Sequence, residues 1–218
     1  MEFIDITAEQ LRDRPDQHTV DESSTVLEGA IWDVRRETFR MADQEKPLVR
    51  EFITHPGAVS IVALDEQDRI LLINQYRHPV GLRMWEIPAG LLDIAGEPAV
   101  DAARRELGEE ADLRAEHWDV LVDFDNSPGS SAEANRIFLA RGLSEVDTDD
   151  RFEREGEEAE IVAGFAPLDD AVDAVLDGRI LSPAAALGIM AAHTARSRGW
   201  STLRPADAAW PARPGLEG

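Results

Sequence analysis

The stretch GLLDIAGEPAVDAARRELGEEADL, Gly90 to Leu113, decides the reading of this chain. It sets a glycine turn ahead of a segment with helical spacing, then gives that segment three carboxylates, Glu106, Glu109 and Glu110. Positions i, i+3 and i+4 share one helical face, about 5–6 Å apart at Cβ, and like charges so placed oppose an isolated helix. A solvated face accounts for charge but not for this crowding behind a glycine turn. A divalent cation with oxygen ligands compensates it. Gly90 permits a tight turn and a close approach of backbone to ligand. Glu97 sits in the first helical turn, where the dipole favours negative charge. Arg105, four residues before Glu109, is placed to pair with it and hold it in one rotamer. Glutamates on a rigid helix beside a glycine loop make a site for magnesium or manganese. Such cations act on phosphate oxygens, neutralising charge and activating water.

The rest of the composition limits the partners. At 218 residues with 43% apolar content, the chain suits one compact domain, or one domain with a smaller appendage. A formal charge of -22 argues against a nucleic-acid backbone or an anionic membrane as partner. An anionic small substrate is repelled too, unless metal ions and a few arginines reverse the field locally. The absence of cysteine excludes disulfides and thiolate metal sites. No basic leader with an apolar core opens the sequence, and no apolar run approaches the ~20 residues of a membrane span. The expectation is a cytoplasmic protein.

Along the chain, Thr7 to Arg12 suggests a short helix. Ser24 to Phe39 alternates with period two and Val49 to Thr54 follows it, so both read as strands of an N-terminal antiparallel unit. That unit is too small to stand alone and must pack on the rest of the chain or on a second subunit. Val59–Leu64, Arg69–Tyr76 and Met84–Pro88 read as strands, followed by a helix from about Glu97 to Ala111 with Val100, Ala103 and Leu107 buried. Trp118–Phe124 and Asn135–Ala140 are strands around the loop holding Pro128. Residues 145–160 carry nine acidic residues against Arg151 and Arg154, and read as an exposed loop. A strand at Glu160–Phe165 and helices at Leu168–Leu176 and Ser182–Arg198 complete the domain, the last opened by the pair Ser182 and Pro183. The tail from Trp200 lies over the surface. Strands interleaved with few helices indicate a mixed α/β sandwich, not a regular parallel doubly wound sheet.

The Gly90–Leu113 segment closely resembles the Nudix box of the Nudix hydrolases: Gly, five residues, Glu, seven residues, then Arg-Glu-aliphatic-any-Glu-Glu-any-Gly-aliphatic. Glu97, Arg105, Glu106, Leu107, Glu109, Glu110 and Leu113 match. Two positions depart: six residues separate Gly90 from Glu97, and Asp112 replaces the second glycine. Neither removes a carboxylate. Pro128, fifteen residues after Leu113, lies close to where ADP-ribose pyrophosphatases of this superfamily carry a marker proline. The N-terminal strand unit and the segments Gln75–Pro79 and Trp85–Gly90 resemble the same subfamily, over roughly residues 24–195.

The resemblance implies an α/β fold, a Nudix-type α-β-α sandwich with a mixed sheet plus the N-terminal antiparallel unit. Its parts are a strand unit at 1–55 that forms a homodimer, a Nudix hydrolase domain at 56–200 and a C-terminal tail at 201–218. It also implies a site. Glu106 and Glu110 are direct ligands of Mg2+ or Mn2+. Glu109 is a third ligand or, held by Arg105, a support for the others, and the Ala89 carbonyl completes the first ion's sphere. Glu97 organises the start of the helix. A glutamate from the loop after the box serves as ligand or base; among Glu155, Glu157 and Glu158, counting back from the next strand favours Glu158, then Glu157. Glu109 and Glu110 join these two as catalytic candidates. Among substrate contacts, Arg77 has the fork for a diphosphate oxygen pair. Glu86 assists it or forms a buried salt bridge, and Trp32 stacks on adenine or fills a core or interface. His78 is a polar edge residue.

The implied activity is metal-dependent hydrolysis of ADP-ribose to AMP and ribose 5-phosphate. The alternatives are another nucleotide sugar, NADH, a coenzyme A derivative or a dinucleoside polyphosphate. A catalytically silent nucleotide sensor is a further one, disfavoured because such proteins lose box glutamates.

Overall fold

Two faces of apolar side chains along single strands dictate the architecture. In Val59-Ser-Ile-Val-Ala-Leu64, Val59, Ile61 and Ala63 point into one core cluster and Val62 and Leu64 into another. Phe138 and Ala140 alternate with Ile137 and Leu139 in the same way. A sheet apolar on both faces needs cover on both. The computed structural model, which describes residues 3–42, 44–154 and 158–210, supplies it.

The chain divides into Met1–Ile53 and Thr54–Gly218. The first unit is an antiparallel meander of β1 (Val20–Leu27), β2 (Val34–Phe39) and β3 (Leu48–Ile53). Val20, Val26, Leu27 and Val49 on it are exposed. The helix expected at Thr7–Arg12 is a turn, with the Gln10 and Leu11 amides bonded to the Thr7 carbonyl. A polar segment this short cannot repay helix nucleation.

The second unit runs β4 (Ala58–Ala63), β5 (Arg69–Arg77), β6 (Leu82–Glu86), β7 (Ala89–Leu91), α1 (Ala99–Ala111), β8 (Leu113–Asp125), β9 (Ala134–Glu145), β10 (Val162–Pro167), α2 (Leu168–Leu176), α3 (Pro183–Ser197) and β11 (Arg204–Pro205). One sheet has the order β11-β8-β9-β4-β7 and the other β10-β5-β6. β4 and β9 are parallel and the remaining pairs antiparallel, which makes the sheet mixed. Leu107, Ala102 and Ala103 of α1 cover one face, and α2 and α3 the other. The fold is an α-β-α sandwich.

β8 and β9 are longer than their apolar centres, because their ends alternate with polar residues. After Trp200 the chain adds an edge strand, Arg204 and Pro205 opposite Val120 and Asp119. Arg136, 3% exposed, pins the residues beyond that strand: it pairs with Asp123, donates to the Ala208 and Ala209 carbonyls and stacks on Trp210 at 4.7 Å. Ser182 takes the N-cap position of α3, but its hydroxyl makes no capping bond. No helix among the described residues is long and apolar enough to cross a membrane.

α3 lies close to the sheet because Gly188 has no side chain. A Cβ there would meet Val62 Cγ2 at 2.9 Å and Ile87 Cδ1 at 3.1 Å. Gly188→Leu is therefore expected to destabilise the domain by about 1–3 kcal/mol through overpacking. A denaturant melt checks this, and an unchanged midpoint would contradict the packing.

Candidate active site

β6 ends at Glu86, two residues connect it to β7, and the loop after β7 delivers the chain to α1. Gly96 adopts φ 78° within that loop, and Pro98 caps the helix with its carbonyl bonded to the Asp101 and Ala102 amides. Gly96, not Gly90, is thus the turn glycine, in a loop one residue longer than the usual pattern.

Gly90 has a different reason. It lies on β7 opposite Val59, and a Cβ built on it would fall 1.9 Å from the Glu106 carboxyl carbon. Its missing side chain is the space that Glu106 occupies. The neighbouring residue serves the next carboxylate: the Ala89 amide donates to Glu110 Oε2 at 2.9 Å. Glu110 is only 8% exposed, so this bond meets part of the cost of burying its charge. Glu106 and Glu110, one turn apart on α1, therefore come to consecutive residues of one strand.

Arg105 fills the space between the remaining acids. Its Nε and Nη2 donate to the two oxygens of Glu97, each at 3.2 Å, and its Nη1 to Glu106 Oε1 (2.6 Å) and Glu109 Oε2 (3.1 Å). The Glu97 hydrogen bonds first, then the charges of Glu106 and Glu109, hold the guanidinium protonated beyond its ordinary range, against the opposing effect of burial. This corrects two expectations. Arg105 holds three carboxylates, not Glu109 alone. Glu97 precedes the helix; the acid of the first turn is Asp101. Glu97 acts by steering Arg105, because its carboxylate is bonded there.

Among the described residues no three acidic or histidine side chains converge into a ready-made metal cage. The donors nevertheless suit a hard cation: oxygen only, two carboxylates against one strand, and the Ala89 carbonyl in that strand.

Arg77, at the end of β5, reaches Glu86, at the end of β6, in a two-point pair, Nε to Oε1 at 2.9 Å and Nη2 to Oε2 at 2.8 Å. Glu86 is buried. It lies three residues before Ala89, at most about 11 Å of extended chain. His78 lies beside Tyr76 at an exposed edge, its Nδ1 3.4 Å from the phenol oxygen. Trp32 belongs to the first unit, in the β1–β2 connection, 41% exposed. Pro128 sits in the exposed turn between β8 and β9. Glu158 opens a short 3-10 turn, Glu158–Glu160; Glu155 and Glu157 lie outside the described residues.

Sequence reasoning passed over Arg154 and Arg83. Arg154 Nε donates to the Glu109 carbonyl at 2.7 Å, and Arg83 on β6 pairs with Glu160. The available signal was that Arg151 and Arg154 are the only cations in an acidic run.

An α-β-α sandwich with this glutamate helix packed on a glycine strand defines a class of phosphate-processing protein, and the sequence comparison agrees. The chain belongs to the NUDIX domain family, whose profile matches residues 54–183. It is 45% identical over 192 residues to an ADP-ribose pyrophosphatase of Mycobacterium tuberculosis, covering 88% of this chain and 90% of that protein. It is 33% identical over 168 residues to a CMP-5'-(N-acetyl-N-hydroxy-3-aminopropyl)phosphonate hydrolase of Streptomyces rubellomurinus, covering 75% and 79%. A crystal structure of an ADP compounds hydrolase shares the fold with a TM-score of 0.70, at 22% identity, over 86% of this chain and 99% of that one.

Gly90→Ala is expected to leave the fold intact, since the atoms it displaces are side-chain atoms of Glu106 and not backbone. Moving that carboxylate should lower turnover about 10- to 100-fold. Steady-state rates with a parallel melt check this; an unchanged rate would contradict the assigned role of Gly90.

Proposed function

We propose that the chain hydrolyses the diphosphate of ADP-ribose, giving AMP and ribose 5-phosphate. The observation that carries this reading is the 45% identity to an ADP-ribose pyrophosphatase over 90% of its length, joined to a complete set of box carboxylates on α1.

Glu106 and Glu110, with the Ala89 carbonyl and Glu109, hold the divalent cations, Mg2+ or Mn2+, and Glu158 adds a ligand or acts as the base. Cations there supply charge neutralisation at the diphosphate oxygens and acidify an attacking water. The chain's own residues do the rest. Arg105 keeps Glu106 and Glu109 from swinging away, and the Ala89 amide fixes Glu110. Glu86 fixes the guanidinium plane of Arg77, which then offers its charge to the diphosphate in one orientation. A carboxylate oxygen of Glu158, or of Glu157, takes the proton as water adds to one phosphorus. The second phosphate departs with the bridging oxygen. With a formal charge of -22 on the chain, these cations and arginines are what make the site attractive to a dianionic ligand.

The exposed apolar residues of the first unit, Val20, Val26, Leu27 and Val49, support a homodimer in which a second copy covers that sheet. The same reading has the protein work in the cytoplasm, without nucleic-acid or membrane partners.

Purified protein with Mg2+ is expected to release AMP from ADP-ribose faster than from ADP-glucose, NADH or a CMP-linked phosphonate, and a chelator should stop it. Glu110→Gln keeps the bond to the Ala89 amide but should slow turnover by roughly 10³-fold or more. Faster cleavage of another substrate would replace ADP-ribose, and chelator-resistant turnover would overturn the cation assignment.

A further inference from the structure

We propose that Arg154 and Asp112 form a clamp that docks the acidic connection between β9 and β10 onto the C-terminal end of α1, making Arg154 a positioning residue for the reaction. This rests on the reading above, in which that connection contributes a carboxylate.

The last carbonyls of a helix lack intrahelical partners and favour a cation. α1 has no basic residue in its own last turn. Arg154 brings one from 45 residues away: its Nε donates to the carbonyl of Glu109, and its Nη2 lies 3.0 Å from Asp112 Oδ2. The second contact is an ion pair without hydrogen-bond alignment, since Nη2 and Asp112 Oδ1 each lack a hydrogen-bond partner among the described residues. Both side chains are largely enclosed, at 23% and 22% exposure.

Asp112 is itself out of place by local preference. Its φ is 53°, the left-handed helix exit that glycine takes without cost, and aspartate occupies it here. Its carboxylate faces the arginine that also holds the Glu109 carbonyl. The strained exit is thus matched by a charge contact that only an acidic side chain can make.

The connection also meets β6 at its other end, where Glu160 pairs with Arg83 at the solvent-exposed surface. The enclosed contact of Arg154 is on the helix that carries Glu106, Glu109 and Glu110; the exposed one of Glu160 is on the strand that ends at Glu86. Arg154 and Glu160 bracket Glu155, Glu157 and Glu158 in the sequence, and the Arg154 flank is the one held by an enclosed contact to the box helix. A loop glutamate can serve the reaction only within hydrogen-bond reach of the attacking water, and Arg154 sets its distance from the box.

The test compares Arg154→Ala, Asp112→Gly, their double variant and Arg151→Ala, which breaks a neighbouring pair with Glu145. Expected are kcat losses of about 10- to 100-fold for the first two, with KM nearly unchanged. The double variant should be no worse than either single one, the mark of a shared unit. Asp112→Gly should melt at or above the wild-type temperature, because it relieves the backbone, so its kcat loss separates positioning from stability. Amide exchange across residues 151–160 should accelerate in both single variants, a readout independent of any substrate. Unchanged exchange, wild-type kcat in both, or an equal loss in Arg151→Ala overturns the clamp. If exchange accelerates but ADP-ribose is not cleaved by any form, the clamp stands and the substrate reading falls. If Gln variants of Glu155, Glu157 and Glu158 all keep wild-type kcat, the connection has no part in the reaction and the positioning role falls with it.

Discussion

The whole arrangement depends on a single cation among acids. Glu106, Glu109 and Glu110 crowd one face of α1, where each like-charged neighbour costs a few tenths of a kcal/mol and more as burial deepens. Arg105 meets this from within the same helix, touching Glu97, Glu106 and Glu109 at once. Glu110, the most enclosed of the three, is served by the Ala89 amide instead. Charge balance and geometry are therefore the same device: the groups that make the carboxylates tolerable also set where they point.

The sandwich exists in a form that allows this. Ala102 and Ala103 are fully buried, so α1 rests close against the face built by Val59, Ile61 and Phe138. β7 borders the same sheet on β4, and its Gly90 leaves room for Glu106. The helix, the strand and the gap between them are fixed by packing rather than by loops, which suits groups that must hold position within a fraction of an ångström. On the far side Gly188 lets α3 pack closely against Val62 and Ile87.

Much of this is legible in the sequence. The carboxylate helix announces itself because three glutamates, Arg105 and Leu107 recur at helical spacing, and the mixed sandwich is legible from strands interleaved with few helices. β7 is hidden: three residues after Pro88, with a glycine at the centre, read as a turn, and only pairing with β4 makes them a strand. Spacing suggests a tight turn and a close approach to ligand at Gly90, where the structure uses its lack of volume to admit Glu106, because position along a chain says nothing of what lies across from it. Glu97 falls outside the helix for a similar reason, since Pro98 sets the cap. Arg154 and Asp112 are 42 positions apart, and no local pattern links them. Trp32 belongs to the other unit, so nothing in its own neighbourhood relates it to the box.

The proposed activity turns on α1 and β7 together binding divalent cations through Glu106 and Glu110. Manganese titrated into the purified protein, followed by the loss of the free-ion paramagnetic resonance signal, addresses it without substrate or turnover. Clear binding by the wild-type chain is expected, and its loss in Glu106→Gln with the melting temperature preserved. Equal manganese binding by both proteins would contradict it.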